Sequence, residues 1–181
     1  MAQQTDNTPA RAQVLVDFVN TLDIDDGIEQ IGAPAELESW LTEHGLMQGG
    51  SARAEDVALA HRVRESLRAL MHANNGEELD ASALEELNSL SGETPLVLRF
   101  NPDGSTDLAP GAEGAAAGLT RLMGNVYALM AEGKWQRVKA CPADQCEWAF
   151  YDQSKNRSRT WCSMEVCGNR SKARAYRRRH T

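Results

Sequence analysis

All four cysteines of this 181-residue chain, Cys141, Cys146, Cys162 and Cys167, fall in one short stretch near its C-terminal end, and the preceding 140 residues contain none. They form two close pairs, Cys141-x4-Cys146 and Cys162-x4-Cys167, with fifteen residues between them. Four soft sulfurs in two such pairs complete a tetrahedral zinc shell and leave no position for water, which points to one structural Zn2+ and away from a hydrolytic one. Disulfides or free thiols are the alternative, and a reducing cytosol disfavours the disulfides. So short a segment buries too little apolar area to fold alone. Metal binding is therefore expected to supply much of its folding free energy, on the order of 10 kcal/mol in comparable peptides.

Charge is partitioned just as unevenly. Residues 1–133 carry 7 Lys/Arg against 22 Asp/Glu, and residues 134–181 carry 12 against 4, so a body of −15 precedes a tail of +8 in a chain of net charge −7. The split divides the chain into an acidic body, 1–133, and a basic, cysteine-bearing tail, 134–181. A positive tail can meet a polyanion while the acidic body stays solvated. No apolar run approaches the roughly 18 residues of a membrane span, and the polar start from Met1 to Asn7 lacks a leader pattern, so a cytoplasmic location away from membranes is expected.

The body reads as helical. Val14, Leu15, Phe18, Val19 and Leu22 recur at helical spacing over 10–22, and Leu37, Trp40 and Leu41 do so over 34–44, where Gly45 supplies a stop. Ala60, Val63, Leu67 and Leu70 mark a third helix over 54–73, and Asp80 caps a fourth over 80–90. Asp23, Asp25, Asp26 and Gly27 form an acidic loop that lacks the downstream ligands of a calcium site. Leu96 to Phe100 and Ser105 to Leu108, joined by Asn101-Pro102-Asp103-Gly104, read as a β-hairpin near 95–109. A long helix over 112–131 ends at Gly133, and Trp135 to Lys139 reads as an extended lead into the first cysteine. The expected fold is mainly α with one small β-hairpin (α+β): a helical N-terminal body followed by a small C-terminal zinc module with four cysteine ligands.

Around the cysteines sit Trp148, Phe150, Tyr151 and Trp161, which suit either a small core on the metal site or a platform for stacked bases. Between the pairs, Lys155, Asn156, Arg157 and Arg159 occupy a polar loop that is either a solvated turn or a phosphate contact. After Cys167, Asn169, Arg170, Lys172, Arg174, Arg177 and Arg178 lie on a segment compatible with a helix. There Arg170, Arg174, Arg177 and Arg178 share an arc of about 100°. Arg170, near the helix start, is the candidate for reading a guanine edge, and Arg174 to Arg178 suit phosphates.

These residues carry a resemblance. Cys141-Pro142, Cys146-Glu147-Trp148, Phe150-Tyr151-Asp152, Ser154 to Arg159, Trp161 to Met164 and Cys167-Gly168-Asn169-Arg170 look like the bacterial CGNR zinc-finger proteins. Asp17 to Leu22, Ser39-Trp40-Leu41 and Gly45-Leu46 look like the ABATE domain that accompanies this finger. The resemblance implies a stress-induced transcription regulator, with DNA bound by the finger and a sensing or regulatory role for the body.

No catalytic constellation is seen: His44, His61, His72 and His180 are scattered, and no phosphate loop or nucleophile elbow occurs, so an enzyme is not expected. Asn20 and Thr21, with Arg64 and Arg68 at i and i+4, are candidates to line a pocket for a small-molecule effector; helix capping and surface charge pairing are the plainer account. The expected function is a zinc-dependent DNA-binding regulator whose body senses or dimerises, a homodimer being suggested by the small contact area of one finger. An acidic protein and RNA are the alternative partners.

Overall fold

The structure is a computed structural model that describes residues 8–179, so Met1 to Asn7, His180 and Thr181 lie outside the described residues. Five helices build the body: α1 (Ala10–Val19), α2 (Pro34–Glu43), α3 (Ala54–Asn74), α4 (Ala81–Glu93) and α5 (Gly114–Ala131). Their ends follow the local chemistry. Asp80 caps α4 by accepting the Ser82 N–H at 2.8 Å, and Gly133, with φ 64°, ends α5 in the left-handed conformation that glycine adopts without strain. The apolar faces meet in one core in which Leu15, Phe18, Leu37, Leu41, Leu67, Met71, Leu122 and Leu129 are all fully buried. Gly118 lets α5 approach α2 closely, because a Cβ there would lie 3.0 Å from Leu41 Cδ2.

Three antiparallel hairpins are present among the described residues, where the sequence led us to expect one. The expected hairpin is β3 (Leu96–Phe100) with β4 (Thr106–Pro110), in the register Leu98↔Leu108. The acidic loop is flanked by a tiny hairpin of β1 (Leu22–Asp23) and β2 (Ile28–Glu29), strands too short to show alternation in sequence. The third pairs β5 (Val138–Ala140) with β6 (Ala149–Tyr151). The extended lead expected over 135–139 is instead a 3-10 turn, Trp135–Arg137, followed by β5. The Asn74 amide draws the turn in by donating to the carbonyls of Trp135 and Val138 at 3.0 and 2.8 Å, and Trp135 is buried beneath it.

The change of charge at 133–134 is not a gap in the packing. Val138, Ala140 and Ala149 belong to the same core as the helices, and β5–β6 is held to α1 and α3 by side chains of the body. Asn20 donates to the Ala149 carbonyl at 3.0 Å and accepts the Ala149 N–H at 2.7 Å. Asn75 donates to the carbonyls of Ala140 and Thr160 at 2.8 and 2.7 Å. Only Cys141, Phe150 and Cys167, with half-buried neighbours that include Cys146, Cys162 and Trp161, form a separate small cluster. The body and the β5–β6 hairpin therefore fold as one unit, and the metal is left to organise the segments around the cysteines.

Asn20→Ala should lower global stability by about 2–4 kcal/mol, since it strands a buried N–H and a buried carbonyl together. Urea unfolding followed by circular dichroism checks this; an unchanged midpoint would mean that water takes over both groups.

Candidate metal centre and basic surface

The four sulfurs lie within 4.8 Å of one another, with Cys146–Cys162 at 3.5 Å and Cys162–Cys167 at 3.7 Å. Sulfurs about 2.3 Å from one zinc at tetrahedral corners stand about 3.8 Å apart, so the donor set fits the ion in number, chemistry and spacing. Cys141 lies at the end of β5 and its N–H bonds the Trp148 carbonyl at 3.0 Å, which closes the first knuckle. The second pair is shaped by a π-turn, Met164–Gly168, whose entry is capped when Ser163 Oγ accepts the Val166 N–H at 3.3 Å. Gly168 is buried there; a Cβ would collide with Met164 and lie 3.3 Å from Trp161 Cδ1.

Without a cation to share the charge, Cys141, Cys162 and Cys167 would hold their protons unequally. The Cys162 thiol, by hydrogen bonding to Cys141, brings Cys141 down to about 5 in spite of burial. Cys162 is correspondingly pushed up, and burial, with the Cys146 and Cys141 sulfurs, pushes Cys167 up to about 11 against the opposing bond from Cys162. Zinc binding must expel those retained protons, so affinity rises with pH.

The loop between the pairs is held by a residue the sequence reading passed over. The Lys139 ammonium is buried and spends its three protons on Asp152 Oδ2 at 2.8 Å, the Arg157 carbonyl at 2.8 Å and the Arg159 carbonyl at 3.0 Å. Asp152 in turn accepts the N–H groups of Ser154 and Arg159 at 2.9 and 3.0 Å. Burial pushes its carboxyl up, but the Lys139 and Ser154 bonds outweigh this and hold it below the usual carboxylate range. The signal available in the sequence was a lone lysine inside Val138-Lys139-Ala140 and an aspartate directly after Phe150-Tyr151. Arg137 works alongside, donating to the Asp152 and Ser154 carbonyls at 2.8 Å each. Among the described residues two that are not glycine adopt left-handed backbones, Glu147 (φ 48°) and Arg157 (φ 53°), and a buried cation holds the carbonyl of each: Arg68 at 2.8 Å for the first, Lys139 for the second.

The residues expected to contact nucleic acid fall into two sets. Lys155, Asn156 and Arg157 are exposed on the loop. Arg159 is exposed as well, but its guanidinium lies over the Phe150 ring at 4.8 Å and donates to the Trp161 carbonyl at 2.9 Å and to that of Cys162. Its guanidinium braces the metal cluster. Asn169 opens the last helix, α6 (Asn169–Arg179), and donates to the Glu165 carbonyl of the π-turn at 3.0 Å. Arg170 reaches Asp25 of the body's acidic loop at 3.3 Å. Lys172 and Arg178 are exposed, and Arg177 Nε lies 3.4 Å from the Ala173 carbonyl. Arg170, Arg174, Arg177 and Arg178 do share one face. With Trp161 and the knuckle residues Pro142 to Asp144, they line a groove of about 600 Å³, which Arg174 and Asp144 span at 3.8 Å.

The four residues read as a candidate effector pocket also come together, with their polar atoms engaged by the protein itself. Arg64 grips Glu29 through both terminal nitrogens at 2.8 and 2.7 Å and reaches Thr21 Oγ1 at 3.1 Å. Arg68 donates to the Val19 carbonyl at 2.8 Å, and Asn20 is taken by Ala149. The cluster is a clamp between body and tail, because every cation in it already has carboxylate or carbonyl partners.

Two family profiles match successive parts of the chain. The profile of the CGNR zinc finger matches residues 137–180, and the ABATE profile, described as "Putative stress-induced transcription regulator", matches residues 12–133. The chain belongs to the ABATE family. No curated protein matches it significantly. In this ABATE protein the tetrapeptide Cys167-Gly168-Asn169-Arg170 consists of a zinc ligand, a close-packed glycine, a clamp on the π-turn and a link to the body.

Zinc affinity should weaken roughly ten-fold or more per unit of pH lowered below neutrality, since at least one thiol proton must be lost on binding; competition with a chromophoric chelator between pH 6 and 8 measures this. Lys139→Met should cost about 3–5 kcal/mol by leaving Asp152 buried without its cation. It should also raise amide exchange over 153–160, and protection equal to wild type there would show that the lysine does not hold the loop.

Proposed function

We propose that this ABATE protein is a zinc-dependent, cytoplasmic DNA-binding transcription regulator that acts by binding rather than catalysis, with the acidic body serving a sensing or dimerisation role in a stress response. One observation carries the reading: four arginines of α6 line a single groove beside Cys167 of the four-cysteine cluster, at the far end of the chain from most of its acidic residues. The exposed Lys155, Asn156 and Arg157 loop adds further positive and hydrogen-bonding groups to the tail. The family description supports regulation. Among the described residues no helix is long and apolar enough to cross a membrane. A body that senses would act on the finger through the bonds made by Asn20, Arg68 and Asn75, which join the two directly.

A second reading has one observation in its favour. The Arg170–Asp25 pair shows that the arginine row accepts a carboxylate, as an acidic protein partner would require.

Salt dependence separates the two. DNA affinity should fall linearly on a log–log plot with a slope of about −0.9 per phosphate neutralised. Arg174→Ala combined with Arg177→Ala should lessen that slope by about two while zinc content stays at one per chain. Affinity and slope equal to wild type would remove α6 from the DNA contact.

A further inference from the structure

Trp161 stands between two concavities. On one side is the arginine groove of about 600 Å³; on the other is a hollow of about 440 Å³ lined by Ser158, Arg159, Thr160 and Met164, and Trp161 lines both. Its position is fixed, since it packs on the cluster of Cys141, Phe150 and Cys167, abuts Gly168, and its carbonyl holds Arg159. Even so, it is only half-buried. The indole is thus a rigid aromatic surface with guanidinium groups on either hand.

The arginine face of α6 has a peculiar setting. Arg170, Arg174 and Arg177 face the Pro142–Asp144 knuckle across the groove, so they form a concave wall. A recognition helix enters the major groove of a duplex as a convex rod with its reading face free, and this face is not presented that way. A concave cationic channel beside a fixed aromatic ring matches the way unpaired strands are held, with the backbone tracked by charge and the bases stacked on rings.

We infer that this surface binds an unpaired stretch of DNA that crosses Trp161, one base stacking on the indole, with phosphates on Arg174 and Arg177 in the groove and on the Lys155–Arg157 loop beyond the second hollow. The inference rests on the DNA-binding reading and narrows its target from intact duplex to a locally opened strand. Asp144 has a defined part in it. Its side chain is 91% exposed and pairs loosely with Arg174 at 3.8 Å, so an incoming phosphate displaces it and then meets its negative charge.

The test uses full-length, zinc-loaded protein and three labelled probes of one sequence: a duplex of about 20 base pairs, long enough to exceed the footprint of one single-strand site, the same duplex with a central mismatched bubble, and the single strand. The bubble and the single strand should bind at least about ten-fold more tightly than the duplex, the range that stacking of one base provides. Trp161→Leu, compared at one zinc per chain, should erase that preference, Trp161→Phe should keep most of it, and Asp144→Asn should tighten binding to all three probes. Duplex bound as tightly as the bubble by the wild-type protein overturns the inference while the DNA-binding reading stands, and needs no variant to fold. A preference that survives in zinc-loaded Trp161→Leu also overturns it, as does an RNA strand preferred over DNA of the same sequence. Failure to bind any nucleic acid removes both readings.

Discussion

Buried backbone groups need partners, and in this protein those of the finger's hairpin find them on the helical body. Asn20 satisfies both groups of Ala149, Asn74 and Asn75 take the carbonyls along β5, and Arg68 holds the Glu147 carbonyl at the edge of the first knuckle. Arg68 is itself oriented by Glu65, which also binds Arg64, and Arg64 is anchored on Glu29. Burial pushes the Glu29 carboxyl up, but the paired guanidinium more than offsets it and keeps the carboxyl below its ordinary range. Two buried arginines of α3, held by carboxylates nearer the surface, therefore set the place of the zinc module before zinc is considered. The metal has the smaller task of drawing two knuckles together, which is why the cysteine cluster can be so small.

The same logic sorts the basic residues of the tail. Arg137, Lys139 and Arg159 are engaged by the protein itself, Lys139 in the interior and the two arginines nearer the surface, where they tie carbonyls and Asp152 into a loop that has almost no apolar residues to fold it. The Lys139 charge is costly to bury, and the full set of hydrogen bonds around Lys139 and Asp152 is what makes the burial tolerable. Arg170, Arg174, Arg177 and Arg178 are left to line an open groove. The ion pairs that Arg170 and Arg174 make with Asp25 and Asp144 are about half solvent-exposed or more, and exposed pairs of that kind contribute little and exchange readily for another anion.

The sequence made the helices legible because each has a long apolar period and punctuation at its ends, as with Asp80 before α4 and Gly133 after α5. It made the zinc ligands legible because four thiols at paired spacing have few other uses. The two hairpins it did not reveal have strands of only two or three residues, too short for alternation to register. The aromatics near the metal could be read two ways, and the fold splits them: Phe150 goes into the cluster and Trp161 stays half-open. Asn20, Thr21, Arg64 and Arg68 do come together, but polar residues on neighbouring helices look the same whether they face a ligand or another part of the chain.

What the sequence determined by itself was the inventory: a helical acidic body, a four-sulfur centre and a row of arginines at helical spacing, all set by local periodicity and by the coordination chemistry of cysteine. What only the tertiary structure decided was which charges hold the fold together and which line its surface. That choice depends on contacts between residues as distant as Asn20 and Ala149, and no local pattern encodes which carbonyl a buried amide will find.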